Sequence, residues 1–136
     1  MTEKGRILIV EDEELMRSIL RQLLEGEGFE VYSADSAEAA LEMFPTAEID
    51  ATLTDIKMPG MDGLDLLSKI KAVDDDAVVI VMTAYSLVDS AIAALRRGVF
   101  DYITKPFVNE DLLKTVRNAI RVRRLSRENR FLRREL

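Results

Sequence analysis

Short apolar runs and helical stretches take turns five times along this chain, and that alternation leaves few folds open. Arg6-Ile7-Leu8-Ile9-Val10 has no polar residue at alternate positions, as expected of a strand covered on both faces. Leu15, Ile19, Leu20, Leu23 and Leu24 then recur at helical spacing until Gly26 and Gly28. Phe29 to Ala34 reads as a second strand, and Ser36 as the N-cap of a helix carrying Ala39, Ala40, Leu41 and Phe44, which Pro45 should stop. Ile49 to Thr54 is a third strand ending at Asp55; the loop Lys57-Met58-Pro59-Gly60-Met61 leads to Asp62, cap of a helix with Leu64, Leu67 and Ile70. Ala77 to Met82 is strongly β-branched. Ser86 to Arg97 predicts a helix closed by Gly98, Phe100 to Ile103 a short fifth strand, and Asn109 the start of a helix that runs to the last residue. Parallel strands need crossover helices, so the expected architecture is α/β, a doubly wound five-stranded parallel sheet with five helices, the last one extended.

Composition narrows the chemistry. The 136 residues suit one domain. Neither Cys nor His occurs, which excludes thiol catalysis, disulfides, thiolate metal sites and imidazole as base or ligand. What remains is carboxylate, hydroxyl, lysine and backbone chemistry, suited to hard cations. No apolar run nears the roughly 20 residues of a membrane span, and the first residues lack a secretory h-region, so a cytoplasmic protein without membrane contact is expected. The net charge of −6 conceals an asymmetry: residues 117–136 hold eight Arg and two Glu, a balance of +6, which leaves −12 on residues 1–116.

In open parallel sheets, ligands bind beyond the carboxyl ends of the strands. That edge would receive Glu11 and Asp12 from the first strand, Asp55 from the third, Thr83 from the fourth and Lys105 from the fifth. Three converging carboxylates repel unless a cation sits among them, and Mg²⁺ is the natural occupant. Lys105 adds a compact positive charge and Thr83 a hydroxyl donor. Such a set fits phosphoryl transfer to a carboxylate, where positioning and charge neutralisation dominate. Each residue also has a plainer reading. Glu11–Glu14 could only complement a helix dipole, Asp55 a turn, Thr83 a cap, Lys105 a surface turn and Tyr102 a core.

The segments Ile7-Leu8-Ile9-Val10-Glu11-Asp12-Glu13, Thr54-Asp55-Ile56-Lys57-Met58-Pro59-Gly60-Met61-Asp62-Gly63, Met82-Thr83-Ala84 and Tyr102-Ile103-Thr104-Lys105-Pro106-Phe107 resemble, in order, the four signatures of response-regulator receiver domains. The resemblance covers about residues 5–122 and implies a flavodoxin-like sheet of order 2-1-3-4-5. It implies that Asp55 accepts a phosphoryl group from the phosphohistidine of a sensor histidine kinase in a two-component system. Mg²⁺ would be held by Glu11, Asp12, Asp55 and the carbonyl of Lys57, and the phosphoryl oxygens by Thr83, Ala84 and Lys105. Thr83 and Tyr102 would act as the switch, and Lys57 and Tyr85 would influence phosphoryl lifetime. The family more often has Asp where this chain has Glu11, whose extra methylene allows contact with the metal through water.

The final helix carries two apolar stripes. Leu113, Val116 and Ile120 should face the sheet. Val122, Leu125, Asn129, Leu132 and Leu136 lie on nearly the opposite side, with Val122, Asn129 and Leu136 at a and Leu125 and Leu132 at d of a short parallel coiled coil. The expected division is therefore a receiver over residues 1–122 and a helical linker over 123–136 that pairs two copies as a homodimer. Leu125 to Leu132 also resembles the linker of sigma-54-dependent activators of the NtrC type, which implies a downstream AAA+ ATPase and DNA-binding domain absent from this chain. The arginines read as a solvated helical face with no direct nucleic-acid contact, because no groove-reading motif accompanies them. Other classes fare worse. A haloacid-dehalogenase-type enzyme needs a carboxylate where Lys57 stands, and a flavodoxin-like cofactor binder would be coloured. A dimerisation or interaction module that works without phosphorylation would leave Thr83 and Lys105 unexplained.

Overall fold

The structure, a computed structural model, describes residues 5–84 and 88–135. Strands β1 (Arg6–Val10), β2 (Glu30–Ala34), β3 (Ala51–Asp55), β4 (Val79–Thr83) and β5 (Asp101–Thr104) alternate with helices α1 (Glu14–Gly26), α2 (Ala37–Ala47), α3 (Gly63–Val73), α4 (Val88–Arg96) and α5 (Asn109–Glu135). All pairings are parallel and the order is β2-β1-β3-β4-β5, as expected. Tyr85, Ser86 and Leu136, which carried sequence expectations, lie outside the described residues.

Strand periodicity sorts the core into two layers. Ile7, Ile9, Leu53, Ile80 and Met82 point to the side of α1 and α5, where Leu20, Leu24, Leu112, Val116 and Ile120 meet them. Leu8, Val10 and Val79 point to the other side, against Ala40 and Phe44 of α2 and Leu66, Leu67 and Ile70 of α3. Successive residues of β1 therefore serve opposite faces, which is why its run has no polar member. Each fully buried Leu or Ile contributes about 1.5–3 kcal/mol.

Two caps fall where the sequence put them: Ser36 accepts the Ala39 N–H at 3.1 Å and Asp62 the Asp65 N–H at 2.8 Å. Several boundaries do not, β3 beginning at Ala51 and β5 at Asp101, and two have clear local causes. Pro45 does not stop α2, which runs on to Ala47 and ends with Glu48 in the left-handed region at φ 53°. Proline's fixed φ suits a helix; its missing N–H costs one bond close to an end that would lose such bonds anyway. β4 begins at Val79, not Ala77. Ala77 instead donates its N–H to the Asp74 carbonyl at 3.0 Å, a turn that closes α3.

Gly63 marks the tightest approach. A Cβ there would lie 2.0 Å from the Asp55 carbonyl oxygen, and the Gly63 N–H bonds the Ile56 carbonyl at 2.7 Å. Backbone on backbone cannot give way. Gly26, at the end of α1, has nothing within 4 Å of such a Cβ. Gly63→Ala should therefore cost about 2 kcal/mol or more, whereas Gly26→Ala should gain about 0.5 kcal/mol. Urea denaturation of the two variants against the parent checks both signs.

Candidate functional site

The sheet reverses its order between β1 and β3, and the site forms at the carboxyl ends of those neighbours. Glu11 follows β1, its N–H bonded to the Ala34 carbonyl at 3.1 Å and its own carbonyl held by Arg17 Nη1 at 2.9 Å. Asp55 closes β3. Lys105 follows β5 and leads through a cis peptide to Pro106, and its N–H donates to the Thr83 carbonyl at 2.8 Å.

From there the lysine reaches back across the strand ends. Its Nζ donates to Glu11 Oε1 at 2.8 Å and Asp55 Oδ2 at 3.0 Å. Glu11 is almost completely buried, with Oε2 accepting the Glu13 N–H at 3.2 Å. Asp12 is exposed, at the mouth. One carboxylate oxygen from each of Glu11, Asp12 and Asp55 lies within 4.8 Å of the other two. Three acids against one ammonium leave the cluster negative, with hard oxygen donors grouped around a common point. A small divalent cation fits that donor set.

The electrostatics follow from burial. Burial raises the Glu11 carboxyl above its ordinary value, and the Lys105 hydrogen bond and the Glu13 N–H only partly oppose it. Burial also works against the Lys105 ammonium, but its bonds to Glu11 and Asp55 outweigh that, so its pKa is raised.

The other predicted residues divide into near and far. Thr83 is buried at the end of β4, beside β3, and Ala84 follows it on the surface. Lys57, exposed, stands two residues beyond Asp55 in the loop before α3. Tyr102 is on β5, half-buried against the cluster of Ile56, Val81 and Ala94, and burial raises its phenol pKa. Val122, Leu125, Asn129 and Leu132 are exposed on α5, on a separate part of the molecule.

Three residues escaped sequence reasoning. Arg17 holds the Glu11 carbonyl; Glu38 of α2 accepts the Met61 N–H at 3.3 Å, tying down the loop after Asp55; Gly63 lets that loop close. Arg17 and Glu38 act on main-chain groups, which carry no sequence signature. Only Gly63, a glycine directly after a capping Asp, left a mark.

Residues 7–117 match the response regulator receiver domain family. This chain belongs to it. Regulatory protein AtoC of Escherichia coli is 39% identical over 132 residues, covering 97% of this chain and 29% of AtoC. DNA-binding transcriptional regulator NtrC of Klebsiella pneumoniae is 39% identical over 118 residues, 87% of this chain and 25% of that protein. The receiver thus spans less than a third of both relatives. Among solved structures, response regulator protein TrrA of Thermotoga maritima in complex with Mg(2+)-BeF superposes with a TM-score of 0.78 at 34% identity, over 85% of this chain and 98% of that one.

The receiver's charge cluster gives an unusual pH signature. Between the ordinary carboxyl pKa of 4.5 and the raised value of Glu11, the folded state keeps a proton that the unfolded state releases. Glu11 therefore lowers stability as pH rises through that window, the reverse of a salt-bridged acid on the surface. Glu11→Gln removes the effect. Denaturant titrations of the metal-free protein should show the variant gaining on the parent as pH climbs from 4.5, then holding a constant difference once Glu11 is ionised.

Proposed function

We propose that this receiver accepts a phosphoryl group on Asp55 from the phosphohistidine of a sensor histidine kinase. The carrying observation is Lys105 Nζ bridging Glu11 and Asp55 at 2.8 and 3.0 Å, inside a cluster of three carboxylates. An amine so placed neutralises Asp55 Oδ2 before reaction and is in reach of a phosphoryl oxygen after it. Asp55 Oδ1 is then the attacking atom, forming a P–O bond as the donor's P–N bond breaks. Mg²⁺, held by Glu11, Asp12, Asp55 and the Lys57 carbonyl, would supply the charge that lets the phosphoryl dianion approach. Thr83 and Ala84 provide donors at the neighbouring strand end. Hydrolysis at the same cluster returns the domain to rest, so it is a self-catalysed switch with no independent substrate.

Phosphorylation adds up to two charges and three acceptors beside Thr83. A move of the Thr83 hydroxyl toward them would open space behind it for Tyr102, biasing the α4–β5–α5 surface between two states. The output, by likeness to AtoC and NtrC, is control of transcription, and the linker pattern favours a sigma-54-dependent activator with an AAA+ ATPase and a DNA-binding domain. Residues 1–122 would be the receiver and 123–136 the linker. Val122, Leu125 and Leu132 are 39%, 56% and 52% exposed, large apolar groups with Asn129 among them. With Leu136 they would form the seam of a parallel dimer.

Incubation with Mg²⁺ and acetyl phosphate should add one phosphoryl mass to the parent and none to Asp55→Asn. Lys105→Ala should slow labelling by roughly 10²-fold, the usual loss when one transition-state donor is removed. Labelling that survives Asp55→Asn defeats the proposal.

Sedimentation separates the dimer from the switch. The parent should be dimeric at high micromolar concentration and Leu125→Arg monomeric; a strictly monomeric parent excludes the seam. A dimer and output indifferent to Asp55→Asn would instead favour a module that works without phosphorylation, the reading that the exposed stripe alone supports.

A further inference from the structure

The apolar, sheet-facing stripe of α5 ends at Ile120, yet the same face continues as Arg123 and Arg127, three and seven residues on. Arg123 is not part of a solvated face, and Arg127, though half-exposed, reaches back to the body of the domain. The Arg123 side chain is 8% exposed and pairs through Nη2 with Asp74, the residue that ends α3. Arg127 Nη1 meets Asp50 Oδ1 at 2.7 Å. Asp50 is itself buried: its Oδ2 accepts the Arg6 N–H at 2.8 Å and its N–H donates to the Arg6 carbonyl at 2.8 Å. Both acids therefore belong to the trailing edge of the fold, opposite the phosphorylation site. Asp50 precedes β3, whose far end is Asp55; Asp74 ends α3, whose first turn is capped by Asp62.

An open groove of about 570 Å³, lined by the two arginines, Asp74, Phe44, Ile49 and Val73, runs along this contact. The extension alone is short and rich in arginine, and such helices fray in water. At 100° per residue, the exposed stripe of Val122, Leu125 and Leu132 lies nearly opposite the two arginines.

We propose that Arg123 and Arg127 form a charge clamp that docks the start of the α5 extension onto Asp74 and Asp50. The receiver thereby carries an intramolecular docking site for its own linker, and the linker leaves the domain in a fixed direction with its apolar stripe turned outward. The use of that stripe as a dimer seam rests on the proposed function; the clamp does not.

Hydrogen exchange read by mass spectrometry over residues 121–130 tests it, at a dilution where sedimentation gives monomer, or in Leu125→Arg. Arg127 is half-exposed, so Arg127→Gln is safe for folding, and it should speed exchange in that segment roughly tenfold. Asp74→Asn keeps the acceptor that Asp76 N–H uses at 3.0 Å but loses the charge, and should do the same. Arg123→Asp should be worse, and adding Asp74→Arg should recover part of the loss. Beryllofluoride binding at Asp55 should be unaltered in Arg127→Gln, which separates failure of the clamp from failure of the phosphorylation site. Exchange unchanged in both Arg127→Gln and Asp74→Asn overturns the clamp. So does loss of protection on dilution alone with the arginines intact, since the partner helix would then be ordering the segment.

Discussion

A lysine held between two carboxylates, at the edge of a sheet that has no other use for it, is the constraint around which this molecule is arranged. Lys105 reaches Glu11 and Asp55 only because β1, β3, β4 and β5 end side by side and the chain after β5 is pinned by its N–H to the Thr83 carbonyl. Burying charge is costly unless it is paired, and here the pairing is incomplete, since three acids share one amine. The fold carries this uncompensated negative site on the strength of its two apolar layers. A site left electrostatically unfinished is one that gains from binding a cation.

That division explains why the architecture was legible and parts of the site were not. Ile7 to Val10 and Val79 to Met82 declare buried parallel strands because burial on both faces demands an unbroken apolar run. Glu11, Asp55 and Lys105 could be placed at one edge from topology alone, because strand ends are the one position in such sheets where polar residues converge. Arg17 and Glu38 could not, since their partners are a main-chain carbonyl and a main-chain N–H. Pro45 misled for a local reason: a helix breaker in the last turn has little left to break.

The arginines of α5 misled for a different one. Their count pointed to a solvated face, and charge alone could not separate Arg123, buried, from Arg121, exposed. Their partners stand 49 and 77 residues away, beyond any pattern within the helix. Position on the helix wheel was the missing test. Leu112, Val116 and Ile120 define the body-facing line, and Arg123 and Arg127 extend it past the last apolar residue. An arginine stem can continue an apolar stripe while its head seeks an anion.

The same geometry bears on how a receiver could pass a signal to its linker. β3 carries Asp55 at one end and begins just after Asp50 at the other; α3 begins beside the loop that follows Asp55 and ends at Asp74. The clamp therefore fastens the α5 extension to the elements that carry Asp55 and the loop after it, and to neither edge strand. A rigid attachment of this kind transmits no signal by itself, since coupling requires an element with two states that both sites bias. It does decide what such a switch would move. With the linker clamped to β3 and α3, a change confined to α4 and β5 would alter the surface beside a fixed lever, leaving the direction of the lever itself unchanged. Regulation would then act by covering or uncovering contacts alongside α5, a different device from swinging the helix, and one that the placement of Asp50 and Asp74 favours.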